Sequence, residues 1–366
     1  MTTRGGHIGA LEGVILLFAS LAAKLFLQYP AFLIDVGGPA AWQVALVMTA
    51  SALLIFLPAA ALARRFPGLG LGEIGQEVTG PALGTLLTLA VSAWLLAAVC
   101  ITIRKVTENF IVAMLPATPP SMLIIVMLIC VAYASYRGFE ALARAAQILF
   151  PIVVTGLLVM LIFNLPRAEP GRLFPFWGYG LQQTALAGVV YTGMTAEAVA
   201  LLVLGASFRT PDALRSSGLI GVALFGVTSA VVTAMLAMIF GPPDAAQQPF
   251  PMFTLARLVY LGRFLQRTES LIVMFWFFAA AVRIAMLFHA AAVGIADSLG
   301  LPAYRPLIFP LAVLVFSLSL LPEDFLVVLR LERDWIRTTG NLVLLIPLLL
   351  LMIAVVRRKG GTVGAP

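Results

Sequence analysis

Read for polarity alone, the chain alternates long apolar runs with short charged punctuation. Stretches free of Asp, Glu, Lys and Arg reach spanning length at 36–63, 78–103, 109–136, 145–166, 216–243, 306–322 and 338–356. A hydrocarbon layer of about 30 Å takes roughly 20 residues of helix, and a charge inside it is costly, so each stretch predicts one transmembrane helix. Three more apolar stretches are each interrupted once near the middle: 13–34 by Lys24, 173–208 by Glu197 and 270–296 by Arg283. Trimmed at prolines and glycines, the pattern predicts ten spans, at about 12–34, 40–62, 81–105, 121–136, 143–165, 183–207, 213–240, 268–296, 305–322 and 338–357.

Composition points the same way. Hydrophobic residues fill 61% of the chain and charged residues 11%, and the mean hydropathy is +1.05. A water-soluble domain needs about 25% charged residues to cover its surface, so lipid is the expected solvent. All 366 residues are expected to form one polytopic membrane domain, with five-helix halves at 12–165 and 183–357. The net charge of +7 is spread singly between apolar runs, with no basic patch of the kind nucleic acid requires. By the positive-inside rule the two sides nearly tie, and Arg357-Arg358-Lys359 tips the C-terminus toward the cytoplasm. The early charge Lys24 argues for a first helix at the N-terminus rather than a cleaved signal peptide.

The interrupted spans carry the candidate chemistry. Lys24 and Glu197 mark the first and sixth helices, which open the two halves. In inverted-repeat transporters such helices break at the midplane and turn freed half-helix ends toward the substrate. The sixth helix reads Tyr191-Thr192-Gly193-Met194-Thr195-Ala196-Glu197: a glycine that loosens the helix, threonines for freed backbone groups, then a carboxylate. The first reads Ser20-Leu21-Ala22-Ala23-Lys24, with Pro30 six residues on and no glycine at the expected break. The candidate ligand-binding set is therefore Ser20, Ala23, Lys24, Trp94, Tyr191, Thr192, Gly193, Thr195, Glu197 and Arg283, around a midplane pocket between helices 1, 3, 6 and 8. Each has a plainer reading too. Glu197 can be a structural partner of Lys24 or Arg283, Lys24 can snorkel, Arg283 can clamp helices, and Trp94 can simply pack.

Catalysis has little support, because no GxSxG, HExxH, Walker loop or paired-carboxylate motif occurs. Cys100 and Cys130 lie inside apolar runs, and His7 and His289 stand apart, so neither a disulfide framework nor a metal site is expected. No cofactor is predicted.

The most specific segment is Phe250-Pro251-Met252-Phe253-Thr254-Leu255-Ala256-Arg257, followed by Gly262-Arg263-Phe264-Leu265-Gln266-Arg267-Thr268-Glu269-Ser270. It belongs to a loop of about 27 residues, 241–267, too polar to span and too apolar to stay in water, and is expected to lie over the bundle as a lid. This block resembles the corresponding loop of the bacterial endospore-germination receptor B subunits, a branch of the amino acid/polyamine/organocation transporter superfamily. The likeness extends to the ten spans, Tyr29-Pro30, Gly193 to Glu197, and a basic residue within helix 8. It implies an all-α, leucine-transporter-like 5+5 inverted repeat with broken helices 1 and 6, sited in the inner membrane of the spore. It also implies a permease-like subunit that binds a nutrient germinant, often an amino acid, with a larger A subunit and a C-subunit lipoprotein as partners. Glu197 sits at the family's helix 6 carboxylate position. Ala23, Lys24 and Leu25 stand where many relatives carry a glycine-bearing break. The alternative expectation is a secondary transporter that moves an amino acid with a proton or in exchange, with Glu197 as coupling group.

Overall fold

The computed structural model describes residues 8–259 and 268–360. Over these residues the chain is helical, and its one β contact is an isolated bridge between Ile8 and Phe208. The first rod is two half-helices, α1 (Ala10–Ala22) and α2 (Tyr29–Gly37), separated by a 3-10 turn at Ala23–Phe26 and an extended Leu27. Pro30 explains the restart. It has no N–H to give the preceding turn, so it is tolerated only in the first turn of a new helix, where it now lies.

Rod two is α3 (Ala41–Arg65), followed by a short interfacial helix, α4 (Leu71–Thr79). Rods three to five are α5 (Pro81–Ala113), α6 (Pro120–Arg137) and α7 (Phe139–Asn164). Gly138 turns α6 into α7 at φ 98°, a conformation that side chains with a Cβ resist. Rod six is broken like rod one: α8 (Leu181–Tyr191), a 3-10 stretch at Thr192–Ala198, then α9 (Val199–Val203). Rod seven is α10 (Pro211–Phe240), and two short helices follow, α11 (Pro242–Gln247) and α12 (Pro251–Arg257). Rods eight and nine are α13 (Thr268–Ser298) and α14 (Ile308–Ser319). The tenth joins α15 (Phe325–Arg330) to α16 (Arg337–Val356) through a π-helical turn at Leu331–Ile336.

Eight stretches among the described residues are long and apolar enough to cross a membrane, and Arg305–Ser319 is a shorter apolar helix. Eight of the rods start and stop within about four residues of the expected positions, and the third runs on to Ala113 instead of ending near 105. The last differs most, because its helix begins at Phe325 instead of near 338. Its turn is π-helical and no loop, and one of its charges, Glu332, is buried against Lys105 while Arg333 and Asp334 face outward. The centre is built by the broken rods: α1 packs on α10, α7 and α13, and α16 packs on the 3-10 stretch of rod six.

The segment after rod seven is more ordered than a loop. Gln28 Nε2 donates to Pro249 O at 2.7 Å, Asn164 Nδ2 donates to Leu255 O at 3.2 Å, and Phe250 stacks on Phe325 with centroids 5.6 Å apart. Arg263 and Arg267 of this segment lie outside the described residues, as does His7.

Candidate functional site

Both helix breaks form where a residue that cannot be left alone in lipid meets its partner. In the 3-10 stretch of rod six, Thr192 Oγ1 donates to Gly188 O at 3.1 Å and Thr195 Oγ1 donates to Thr192 O at 2.8 Å. The threonines satisfy carbonyls that a continuous α-helix would have bonded itself. The break takes the form of a tightening to 3-10 geometry over Thr192–Ala198, where the sequence predicts the sixth helix to be broken.

Across the gap, the Lys24 ammonium donates to the Met194 carbonyl and pairs with Glu197 Oε1. Arg283 Nη2 reaches the same oxygen at 2.7 Å, and Ser20 Oγ donates to Glu197 Oε2 at 3.1 Å. Rods one, six and eight therefore converge on one carboxylate. Lys24 and Glu197 are each 1% exposed and Arg283 is 2% exposed, so none of them snorkels to water. Ala23 is fully buried at the start of the 3-10 turn, where a small side chain lets the two broken rods meet.

The remaining candidates face elsewhere. Trp94 Nε1 donates to Thr339 Oγ1 at 2.9 Å, and the Arg337 guanidinium lies 5.0 Å from the Tyr191 ring centre. Both contacts run to rod ten. Gly193 does too: a Cβ there would come within 2.0 Å of Arg337 O, and one on Gly340 would come within 2.3 Å of Gly193 O. Glycine at 193 serves close backbone approach between rods six and ten more than helix loosening. Asn341 Nδ2 seals the contact by donating to Val190 O at 2.8 Å.

A second buried ion pair was not singled out by the charge pattern. Lys105 on α5 pairs with Glu332 in the π-turn of rod ten, with side chains 0% and 4% exposed. The available signal was Thr102, Lys105 and Asn109, three polar residues at helical spacing on one face of rod three. Lys24, Lys105, Arg283, Glu197 and Glu332 interact electrostatically as one group. With all five ionised, three cations and two anions leave one buried positive charge. Arg283 holds donors in reserve: among the described residues its Nε and Nη1 have no hydrogen-bond partner.

Against α12, and lined by none of the five charged residues, lies a small cavity of about 30 Å³ between Phe26, Asn109, Trp276, Phe250, Met252 and Phe253. That is room for about one water.

A bundle with two facing helix breaks and a charged centre is the architecture of a transporter-type, multi-pass integral membrane protein. A Na+-coupled sialic acid symporter, solved substrate-bound and outward-open, shares this leucine-transporter-like fold with a TM-score of 0.68, over 96% of this chain and 80% of the symporter. At 13% identity the likeness concerns the fold alone. The profile of the family described as "Spore germination protein" matches residues 7–325, and the chain belongs to that family. Spore germination protein YndE of Bacillus subtilis (strain 168) is 24% identical over 88% of this chain and 89% of its own. Spore germination protein XB of Bacillus anthracis is 29% identical, over about half of each chain, at 50% and 51%. Spore germination protein A2 of Bacillus subtilis (strain 168) is 22% identical over 78% of both. The protein is a germination permease-like membrane protein.

Proposed function

We propose that this chain is the nutrient-sensing, permease-like subunit of a spore germination receptor. A small nutrient, of amino-acid type, binds near the bilayer midplane beside Glu197 and Arg283. The chain works in the inner spore membrane with an A subunit and a C-subunit lipoprotein. The observation that carries this reading is Arg283: a buried guanidinium with Nη2 on Glu197 and, among the described residues, no hydrogen-bond partner for Nε or Nη1. Nε and Nη1 lie on different edges of the guanidinium, so each can give a charge-assisted hydrogen bond to an anion, and the surplus buried positive charge asks for one. Ser20, Lys24, Thr192, Thr195 and Glu197 would hold the binding geometry, with Ala23, Trp94, Tyr191 and Gly193 packing the helices around it.

The test is a thermal-shift panel of free amino acids on the purified protein, with Arg283→Lys and Arg283→Gln beside it. At least one amino acid should stabilise the wild type, Arg283→Lys should weaken that response, and Arg283→Gln should abolish it. Equal responses in all three proteins would overturn the reading.

A second reading is a secondary transporter that moves the same nutrient with a proton or in exchange. The buried carboxylate Glu197, between a cation from rod one and another from rod eight, is where such coupling would occur. Counterflow of labelled amino acid in proteoliposomes separates the two: a sensor binds without counterflow, and a transporter exchanges.

A further inference from the structure

At the opposite end of the bundle from α12, a groove of about 810 Å³ opens between the end of α3, the start of α10 and the last turns of α16. One wall is apolar, formed by Leu57, Ala61 and Leu351, all within membrane-spanning helices. Its rim is basic: Arg64, Arg65 and Arg215 face a single acid, Asp212.

The arginines are unequally engaged. Arg64 donates Nε and Nη2 to Asp212 Oδ1 at 3.0 and 2.5 Å. Arg65 donates to Lys359 O at 2.5 Å and Ala354 O at 3.3 Å, which ties the rim to the basic run Arg357-Arg358-Lys359. Arg215 is half-buried and makes no hydrogen bond or ion pair among the described residues. Three arginines against one aspartate leave two positive charges at the depth where spanning helices end.

We propose that this groove holds an anionic phospholipid of the surrounding membrane, with its phosphate on Arg215 and Arg64 and an acyl chain along Leu57 and Leu351. The charge surplus selects a phosphate-bearing headgroup. The apolar wall is what selects a lipid over a free phosphate, which would gain nothing from Leu57, Ala61 or Leu351. The site is separate from the Lys24–Glu197–Arg283 cluster, and the proposal stands whatever nutrient that cluster takes.

Native mass spectrometry of the full-length protein in detergent tests it, with titrations of phosphatidylglycerol, phosphatidylcholine and glycerol 3-phosphate. Phosphatidylglycerol should be retained at least tenfold better than phosphatidylcholine, and excess glycerol 3-phosphate should not displace it. Arg215→Gln should lower retention about fivefold, as one interfacial charge is expected to do. Asp212→Asn should raise it, because it removes the acid and frees Arg64. Opposite responses from two variants in one groove separate charge recognition from loss of folding. Equal retention of both lipids, displacement by glycerol 3-phosphate, or parallel responses of the two variants would each overturn the proposal.

Discussion

Lys24 and Glu197 form an ion pair across two helix breaks, one in the first rod and one in the sixth, with each side chain 1% exposed. The relationship is not symmetrical. Glu197 answers two cations, Lys24 and Arg283, and a hydroxyl from Ser20. Lys24 answers one carboxylate and one backbone carbonyl. The carboxylate is therefore the hub, and the two residues should not be equally replaceable.

Removing one member of a buried pair typically costs about 3–5 kcal/mol, because the other is left as an uncompensated charge. Glu197→Gln strands two cations and should reach or exceed that range. Lys24→Met leaves Glu197 with Arg283 and should fall below it. The double variant should recover part of the loss of Glu197→Gln, since one stranded cation is gone. Melting temperatures of the four proteins in detergent decide the matter through a double-mutant cycle. Strictly additive shifts would mean the two charges do not interact, and a larger loss in Lys24→Met would reject the hub.

Rod ten leans on the break of rod six through bare backbone. Gly193→Ala would bring a Cβ to 2.0 Å from Arg337 O and 2.7 Å from Asn341 N, and backbone cannot swing aside as a side chain can. Overpacking of this kind costs about 1–3 kcal/mol or more. Gly193→Ala and Gly340→Ala should each lower the melting temperature, with little further loss when combined, since both press on one contact. Gly180→Ala would be a poor control, because its φ of 123° resists any side chain. Gly171, with open space around its Cβ position and no positive φ, is the suitable control, and Gly171→Ala should be neutral.

Much of this was readable from the apolar runs, because a bilayer enforces length and forbids unpaired charge. The ten rods followed from run length, and the three mid-span charges Lys24, Glu197 and Arg283 were expected to need partners. That Glu197 pairs with Lys24 or Arg283 was a reading open in the sequence; that it takes both at once follows from the packing of rods one, six and eight, which no local pattern encodes. The rule failed where it treated charge as punctuation. Lys105 was taken as the end of a helix and Glu332 as part of a loop, yet each lies inside the bundle because the other is there. Gly193 was a true signal read for the wrong reason: its missing Cβ matters for a neighbour far along the chain, and sequence shows only its own helix.

The Lys105–Glu332 pair has a cleaner test than the hub, because each side chain has one charged partner at contact distance. Lys105→Met and Glu332→Gln should each destabilise by several kcal/mol, toward the range of about 3–5 kcal/mol for a broken buried pair. Lys105→Met with Glu332→Leu should come close to wild-type stability, because an apolar replacement of both partners removes the desolvation penalty along with the attraction. Urea-melt or thermal curves on detergent-solubilised protein would show it. A double variant as unstable as the sum of the singles would mean the π-turn depends on the charges themselves.

The last prediction concerns entry to the centre. A cavity of about 30 Å³ is lined on one side by Phe250, Met252 and Phe253, so under the proposed function α12 is the element expected to lift when a nutrient enters. Among the ties that reach that segment from other rods are two hydrogen bonds and a ring contact: Gln28 to Pro249, Asn164 to Leu255, and Phe250 on Phe325. The ring contact is the simplest to remove without stranding a polar group, and such stacks contribute about 0.5–1.5 kcal/mol beyond area. Phe250→Ala should therefore raise the population of the lifted state several-fold while leaving the bundle folded. The reporter is a cysteine at Asn109→Cys, beneath α12, in a background where Cys100 and Cys130 are serine. Its labelling by a water-soluble maleimide should quicken several-fold in Phe250→Ala. A second reporter, Ser298→Cys, is buried at the far end of α13 and should not change. Faster labelling at both positions would mean the whole bundle has loosened, and unchanged labelling at Asn109→Cys would mean α12 is no gate.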